Sequence, residues 1–219
     1  ASPYNVVHLI RPRPSPPHDA YQTAANTLRS WREHGVLMPA PDAPAYVYEH
    51  VQADRTVRGL LCAVPLGGGQ ARILPHEEVM AGPVDDRLAL LRATRANLEP
   101  ILLTVEGGAP ELAKVVREAT LGPPLVQVTA SDGDRHRVWP VAGREGLQQA
   151  SRELIGRELL IADGHHRYAA ARRHAADLAA TGRGPGPWDE LMALVVDVQT
   201  SPLTLGAIHR VVARLSLER

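Results

Sequence analysis

Cysteine and lysine are almost missing from this chain, and their scarcity excludes several kinds of site. The 219 residues include one cysteine, Cys62, and one lysine, Lys114. A single cysteine can form no disulfide within the chain and cannot supply a cysteine-based zinc site. Cys62 lies in an apolar run, which predicts a small buried residue rather than a reactive thiol. Lys114 is the one lysine that could bind phosphate or act in catalysis, and it lies in an ordinary helical pattern.

Net charge and long apolar runs are also absent. The chain carries 24 lysine and arginine residues against 24 aspartate and glutamate residues, a formal net charge of +0. This balance argues against nonspecific nucleic-acid binding, which needs an excess of positive charge. No apolar run is long enough to span a bilayer, and no signal-peptide pattern opens the sequence. We therefore expect a cytoplasmic enzyme or regulator, without a membrane partner and without nucleic acid as a partner.

Hydrophobic patterning predicts strands and helices mixed along one α+β domain. Apolar or alternating runs predict strands at 6–10, 45–51, 58–66, 101–105, 125–129, 136–141, 159–162 and 191–196. Helical spacing predicts helices after the N-cap Asp19, at 85–98, 110–119 and 147–155, and from 165 onward. The triglycine at 67–69 is predicted to be a hairpin turn and not a phosphate loop, because no helix and no Gly-Lys-Ser/Thr follows it.

One stretch joins a short apolar run to a helix start in a way that is typical of an anion site. The run at 159–162 ends at Asp163-Gly164, and an alanine-rich helical segment begins with His165, His166 and Arg167. Backbone N–H groups at a helix start lack partners, the helix dipole is positive there, and guanidinium binds phosphate well. The pattern predicts a phosphate-binding turn. The alternative is an ordinary Asp-Gly turn before a solvated helix.

A second candidate segment, at 74–83, contains His76-Glu77 between a strand and a helix. Its carboxylate could be a general base if the fold brings it to the phosphate turn; otherwise an exposed acidic loop is the simpler interpretation of these residues. No metal site is predicted from the histidines. His165 and His166 are adjacent and point in different directions, and no histidine lies four residues from another in this segment.

Together these two segments resemble a microbial family that is often labelled ParB-like. The resemblance rests on His76-Glu77, on Ala81-Gly82-Pro83, Asp86-Arg87 and the block at 90–97, and on the signature at 162–167. It covers essentially the whole chain, and members are longer at both ends, so this sequence is expected to be a central portion. The resemblance implies a ParB/sulfiredoxin-like mixed sheet with flanking helices, an N-terminal α/β extension, and a nucleotide-site core at about 70–212 within one domain at 1–219.

The same motifs resemble those of the ADP-dependent free serine kinases in the ParB/sulfiredoxin superfamily. Carried over, the resemblance makes Glu77 the base for the substrate hydroxyl and lets Asp163 orient a hydroxyl or Mg²⁺. It implies ADP or ATP as the cofactor, held by His76, Gly164, His165, His166 and Arg167. It also implies substrate contacts from His209 and Arg210.

The expected function is therefore a nucleotide-dependent kinase that phosphorylates a small-molecule hydroxyl such as that of serine. The alternative is a nucleotide-binding regulatory or partner-binding module without catalysis. Sulfiredoxin chemistry is excluded, because His165 stands where sulfiredoxin has its cysteine. No helix-turn-helix domain of the chromosome-partitioning type is recognisable after Arg167. The oligomeric state stays open.

Overall fold

A computed structural model describes residues 2–40, 43–67 and 71–204. Within those ranges the α-helices are α1 (Val7–Ile10), α2 (Ala20–Glu33), α3 (Ala81–Thr94), α4 (Pro110–Ala119), α5 (Glu145–Leu154) and α6 (His165–Ala180). The strands are β1 (Tyr46–Val51), β2 (Thr56–Pro65), β3 (Arg72–Leu74), β4 (Ile101–Val105), β5 (Val126–Thr129), β6 (Arg135–Pro140), β7 (Glu158–Asp163) and β8 (Glu190–Asp197). None of these helices combines the length and the apolar character that crossing a membrane requires.

The strands form one mixed sheet, which confirms the predicted α+β class. Their order across the sheet is β3-β7-β4-β8-β2-β1-β6-β5. The β3–β7 and β4–β8 pairs are parallel, and the other neighbours are antiparallel. Strands β1 and β2 belong to the predicted N-terminal extension, yet they are internal strands between β8 and β6. The extension therefore contributes to the same sheet as the segments that carry the motifs.

The sheet centre is the core of the molecule. Ile101 and Leu103 of β4 are fully buried, and so is Ala193 of β8. Gly59 of β2 allows the close approach of β8, because a Cβ there would lie 2.8 Å from Leu194 Cδ1. The predicted strand at 191–196 is confirmed, with four buried positions: Leu191, Ala193, Val195 and Val196. These strands are the rigid base from which the site segments project.

Helices α3 and α6 lie side by side and run in the same direction. Asp85 pairs with Arg173 at 2.6 Å, and one to two turns further along Arg92 pairs with Asp177 at 2.6 Å. Because the order of the partners is the same in both helices, their N-termini lie at one end of the pair. The segments before α3 and α6 are therefore brought together at that end.

The first predicted strand is wrong. Val6 precedes the short helix α1 (Val7–Ile10), in which Leu9 packs against Leu28 and Trp31 of α2. The Asn5 side chain accepts a hydrogen bond from the Val7 N–H at 2.9 Å, which favours a turn at this point. A short apolar run does not distinguish a strand from a helix, because both can bury it.

A buried carboxylate links three strands. Glu49 of β1 has no exposed surface and stands opposite Arg58 of β2 and Arg137 of β6. Its oxygens lie 2.5 Å from Arg58 Nε and 2.6 Å from Arg137 Nε. A buried charge is tolerated only when it is paired and hydrogen-bonded, and both conditions hold here.

Replacing Glu49 with glutamine is expected to destabilise the fold by about 2–3 kcal/mol, because two arginines lose their buried counter-charge. The matched control is Glu158→Gln. Glu158 pairs with Arg72 in the same sheet, but its side chain is 56% exposed, so a loss below about 1 kcal/mol is expected. Urea unfolding of both variants measures the difference, and equal losses would contradict the role of burial.

Candidate functional site

A polar cleft opens at the end of the sheet where α3 and α6 begin. Its volume is about 410 Å³, within the range of small-molecule sites. Residues from four separate segments line it: Arg11, Glu77, Pro83, Asp86, Arg87, Glu99, Ala162, Asp163, Gly164, His165, His166 and Arg167. The segment with Glu77 and the turn at Gly164 therefore face the same space.

The turn between β7 and α6 depends on Gly164. Its φ is +98°, and a Cβ at this position would lie 2.7 Å from Ile101 Cγ2. Gly164 is thus required by the backbone conformation and by the neighbouring strand β4, independently of any ligand. The turn directs the start of α6 to the cleft.

Two helix starts lie at the cleft, and that of α6 supplies backbone donors. No side chain caps the N-terminus of α6 or that of α3. The first N–H groups of a helix have no partner within the helix, and the dipole is positive at that end. The α6 start lines the cleft from Gly164 to Arg167 and makes it suitable for an anionic group, whereas α3 meets the cleft at Pro83, which has no N–H to donate.

Glu77, in the candidate segment at 74–83, places its carboxylate beside the start of α6. Its side chain is 61% exposed, with Oε2 3.9 Å from His165 Nδ1 and Oε1 3.6 Å from His76 Nε2. Both distances exceed that of a direct hydrogen bond. The carboxylate therefore lies beside two imidazoles and keeps its oxygens accessible to a ligand in the cleft.

His165 holds the Glu77 segment in place. It is 6% exposed, and its ring lies perpendicular to that of His76 with 4.5 Å between the centroids. Its Nε2 accepts a hydrogen bond from the His76 backbone N–H at 3.4 Å, which assigns the ring proton to Nδ1, on the side of Glu77.

The electrostatics of His165 differ from the sequence prediction. Burial, with His76 and His166, lowers its pKa below the usual 6.5, although Glu77 and Asp163 act in the opposite direction. The ring is therefore neutral near pH 7 and adds no positive charge to the cleft. His165 is a positioning residue here, and it offers a phosphate N–H groups but no positive charge.

Arg167 is already engaged by protein groups. Its Nη1 donates to the Pro100 carbonyl at 2.6 Å, and its Nη2 pairs with the Asp163 carboxylate. Glu99 Oε1 lies 4.0 Å from Nη1. The guanidinium is held beside the start of α6, and an incoming anion has to share it with Asp163.

A second arginine, Arg87, belongs to a neighbouring network and shares Glu99 with Arg167, with Nη1 3.7 Å from Glu99 Oε2. It donates through Nε and Nη2 to Asp86, at 2.9 and 2.6 Å, and through Nη1 to the Ile10 carbonyl at 2.9 Å. The Tyr21 hydroxyl donates to Asp86 at 2.9 Å. Burial by itself would raise the pKa of Asp86. The hydrogen bonds from Arg87 and Tyr21 outweigh burial and bring the pKa below its usual value, so Asp86 is ionised.

The predicted site residues are partly brought together. Glu77, Asp163, Gly164, His165, His166 and Arg167 line the cleft, and His76 packs beside it. His166 Nε2 is buried and has no hydrogen-bond partner among the described residues. His209 and Arg210 lie outside the described residues.

Four further charged residues were not predicted as site residues: Arg11, Asp86, Arg87 and Glu99. Asp86-Arg87 is part of the motif block on which the family resemblance rests, so a signal existed for this pair. Arg11 and Glu99 have no local signal, because they reach the cleft only through the packing of the N-terminal segment and of the loop before β4.

Gly164→Ala is expected to lower the free energy of unfolding by about 2–4 kcal/mol, because the positive φ disfavours alanine and the added Cβ would also collide with Ile101. Gly156→Ala is the matched control. Its φ of +74° is also positive, but nothing lies within 4 Å of the added Cβ, so a loss of about 1 kcal/mol is expected. Urea unfolding compares the two, and the same loss in both variants would show that Ile101 does not restrict the turn.

His165 also predicts a pH dependence of stability. The pKa of His165 in the folded protein lies below 6.5, so on acidification the imidazole takes up its proton in the unfolded chain first. The contribution of His165 to the free energy of unfolding is therefore complete above pH 6.5 and is lost as the pH falls below that value. We expect His165→Asn to reduce the fall in unfolding free energy between about pH 7.5 and about pH 5.5. Exposed His18→Asn is the control, and a parent-like slope in His165→Asn would contradict the prediction.

Comparison with known proteins assigns the chain to a family. No curated protein and no solved structure matched the chain. One family model matches residues 1–219, the entire chain, and its description reads "Protein of unknown function (DUF1015)". Since the match covers all of the sequence, the chain belongs to the DUF1015 family.

Proposed function

We propose that this protein is a nucleotide-dependent kinase that transfers a phosphoryl group from ADP or ATP to the hydroxyl of a small molecule such as serine. One observation carries the proposal. A carboxylate with accessible oxygens, Glu77, shares a cleft of about 410 Å³ with the uncapped start of α6. Phosphoryl transfer depends mainly on positioning and charge stabilisation, with one group to orient the nucleophile.

In the proposed reaction the nucleotide phosphates lie at the start of α6. The backbone N–H groups after Gly164 and the guanidinium of Arg167 bind their oxygens. Glu77 accepts the proton of the substrate hydroxyl as the hydroxyl oxygen bonds to the terminal phosphorus. The bond from that phosphorus to the bridging oxygen breaks, and the nucleotide leaves with one phosphate fewer, as AMP from ADP or as ADP from ATP.

The charges of the cleft favour a nucleotide that arrives with Mg²⁺. Its lining contains three arginines against four carboxylates: Arg11, Arg87, Arg167, Glu77, Asp86, Glu99 and Asp163. Phosphates add further negative charge, which a divalent cation would neutralise. Among the described residues no cluster of three or more His, Cys, Asp or Glu could hold a metal. Mg²⁺ needs only one or two carboxylates beside substrate phosphates, so Asp163 fits this role.

His165 and His76 have a supporting role in this proposal. The perpendicular imidazoles hold the backbone at His76 against the start of α6. That contact sets the distance between the Glu77 carboxylate and the phosphate turn. The proposal also assigns the fold to the ParB/sulfiredoxin superfamily and the protein to the cytoplasm, where ADP and ATP are available.

Glu77→Gln is expected to lower kcat by about 10²–10⁴-fold, because it removes the proton acceptor. The matched control is Glu78→Gln, an exposed neighbour that does not line the cleft, and it should keep the parent rate. Phosphoryl transfer is measured from ADP and from ATP, each with Mg²⁺, to a panel of hydroxyl amino acids. A parent-like rate of phosphoryl transfer by Glu77→Gln would contradict the proposed role of Glu77 as the proton acceptor.

The ion pairs of the cleft support a second candidate function. Arg167 is held by Asp163 and Pro100, and Arg87 is held by Asp86. A bound phosphate would exchange these contacts, which suits a nucleotide-binding regulatory module. Calorimetry with ADP and ATP, followed by product analysis, separates the two functions: binding through Arg167 without any phosphorylated product favours the module over the kinase.

A further inference from the structure

A second cavity lies at the opposite end of the α3–α6 pair, where both helices end. Its volume is about 480 Å³. The polar and aromatic side chains that line it include Arg92, Arg95, His174, Arg183, Trp188 and Glu190. None of them lines the kinase cleft, so a ligand in this cavity would bind independently of the proposed function.

Arg95 has a backbone conformation that disfavours its side chain. It ends α3 with a φ of +52°, and among the described residues no other non-glycine has a positive φ. Glycines with φ values of +69°, +74° and +79° follow α2, α5 and α6: Gly35, Gly156 and Gly182. Glycine is the usual residue at such helix ends, because it has no Cβ. The chain thus places an arginine where glycine would be more stable, and its side chain lines the cavity.

The cavity has cationic groups that the protein leaves unpaired. Arg92 pairs with Asp177 at 2.6 Å. Arg95 and Arg183 are exposed, and within the described part of the chain no carboxylate pairs with either of them. A single carboxylate, that of Glu190, lines the cavity. Two free guanidinium groups in a concave site favour an anionic ligand.

An aromatic surface lies beside these charges. The guanidinium of Arg183 stands over the Trp188 ring at 5.7 Å from its centroid. Indole and guanidinium planes both stack on flat rings. The Trp188 side chain is only partly buried, so one ligand could contact the ring and the arginines together.

His174 adds a polar atom without a partner. Its Nδ1 is buried and makes no hydrogen bond within the described residues. Burial, then Arg92, lowers the pKa of His174, so the imidazole is neutral near pH 7. His174 therefore contributes a neutral imidazole to the cavity lining and no positive charge.

We propose that this cavity binds a small organic anion with a flat ring, of the nucleoside monophosphate class. The ring contacts Trp188 and Arg183, and the acidic group contacts Arg95, which has no carboxylate partner among the described residues. The site is separate from the cleft at the helix starts and involves no chemical step.

Tryptophan fluorescence tests the proposal directly. Trp31 and Trp139 are 7% and 3% exposed, so a ligand that quenches emission reports on Trp188. The probes are AMP, adenosine and inorganic phosphate, added to the full chain. We expect saturable quenching by AMP, and binding of adenosine and of phosphate at least about tenfold weaker, because each keeps only half of the contacts.

Arg95→Gly is the decisive variant. It should weaken AMP binding at least about tenfold. Its melting temperature should equal or exceed that of the parent, because glycine relieves the positive φ. If Arg95 had only a structural role, Arg95→Gly would instead lower the melting temperature and leave AMP binding unchanged. Arg183→Ala should weaken binding to a similar extent without changing a helix end. Arg117→Ala, an exposed arginine of α4, and Arg167→Ala, in the kinase cleft, should leave the quenching unchanged.

Three outcomes would overturn the proposal. The first is quenching that does not saturate, and the second is parent-like affinity in both Arg95→Gly and Arg183→Ala. The third is binding of single-stranded RNA with an affinity that rises with RNA length and exceeds that of AMP. That result would make the cavity part of a nucleic-acid surface.

Discussion

The parallel packing of α3 and α6 is the constraint on which both proposed sites depend. Val84 and Leu88 of α3 pack against Ala170 of α6, and exposed ion pairs between Asp85 and Arg173 and between Arg92 and Asp177 follow the same direction. Parallel helices place both positive dipole ends together, whereas an antiparallel pair would place one positive end beside a negative one. The same geometry brings both helix C-termini to the other end, where arginines compensate the partial negative charge. One packing arrangement thus produces two chemically different cavities.

Paired charges, rather than an excess of positive charge, characterise the cleft at the helix starts. Arg87 and Arg167 each contact a carboxylate, and the imidazole of His165 is neutral. Such pairing keeps the Arg87 and Arg167 side chains oriented without a ligand, because each guanidinium has a carboxylate partner. Anion binding then depends on the backbone N–H groups at the start of α6 and on an exchange of ion pairs.

The local features of the fold were predictable where the turn chemistry is strong. Asp19 caps α2 by accepting from the Gln22 N–H at 2.7 Å, as its position before the helical pattern indicated. The strand, Asp-Gly turn and helix around Gly164 also form as expected. The segment at 6–10 failed, because its apolar residues satisfy a helix packed on α2 as well as a strand. The central place of β1 and β2 in the sheet has no local signal at all.

By itself the sequence determined which residue types are present for chemistry: a glycine at the turn, a glutamate beside a histidine, and arginine in place of lysine. It also determined the helix starts, because backbone donors at a helix N-terminus follow from local hydrogen bonding. Folding alone brought Glu77 within 3.9 Å of His165, residues that are far apart in the chain. It likewise made His165 neutral, because burial is a property of the packed molecule and removes the water that would stabilise the imidazolium.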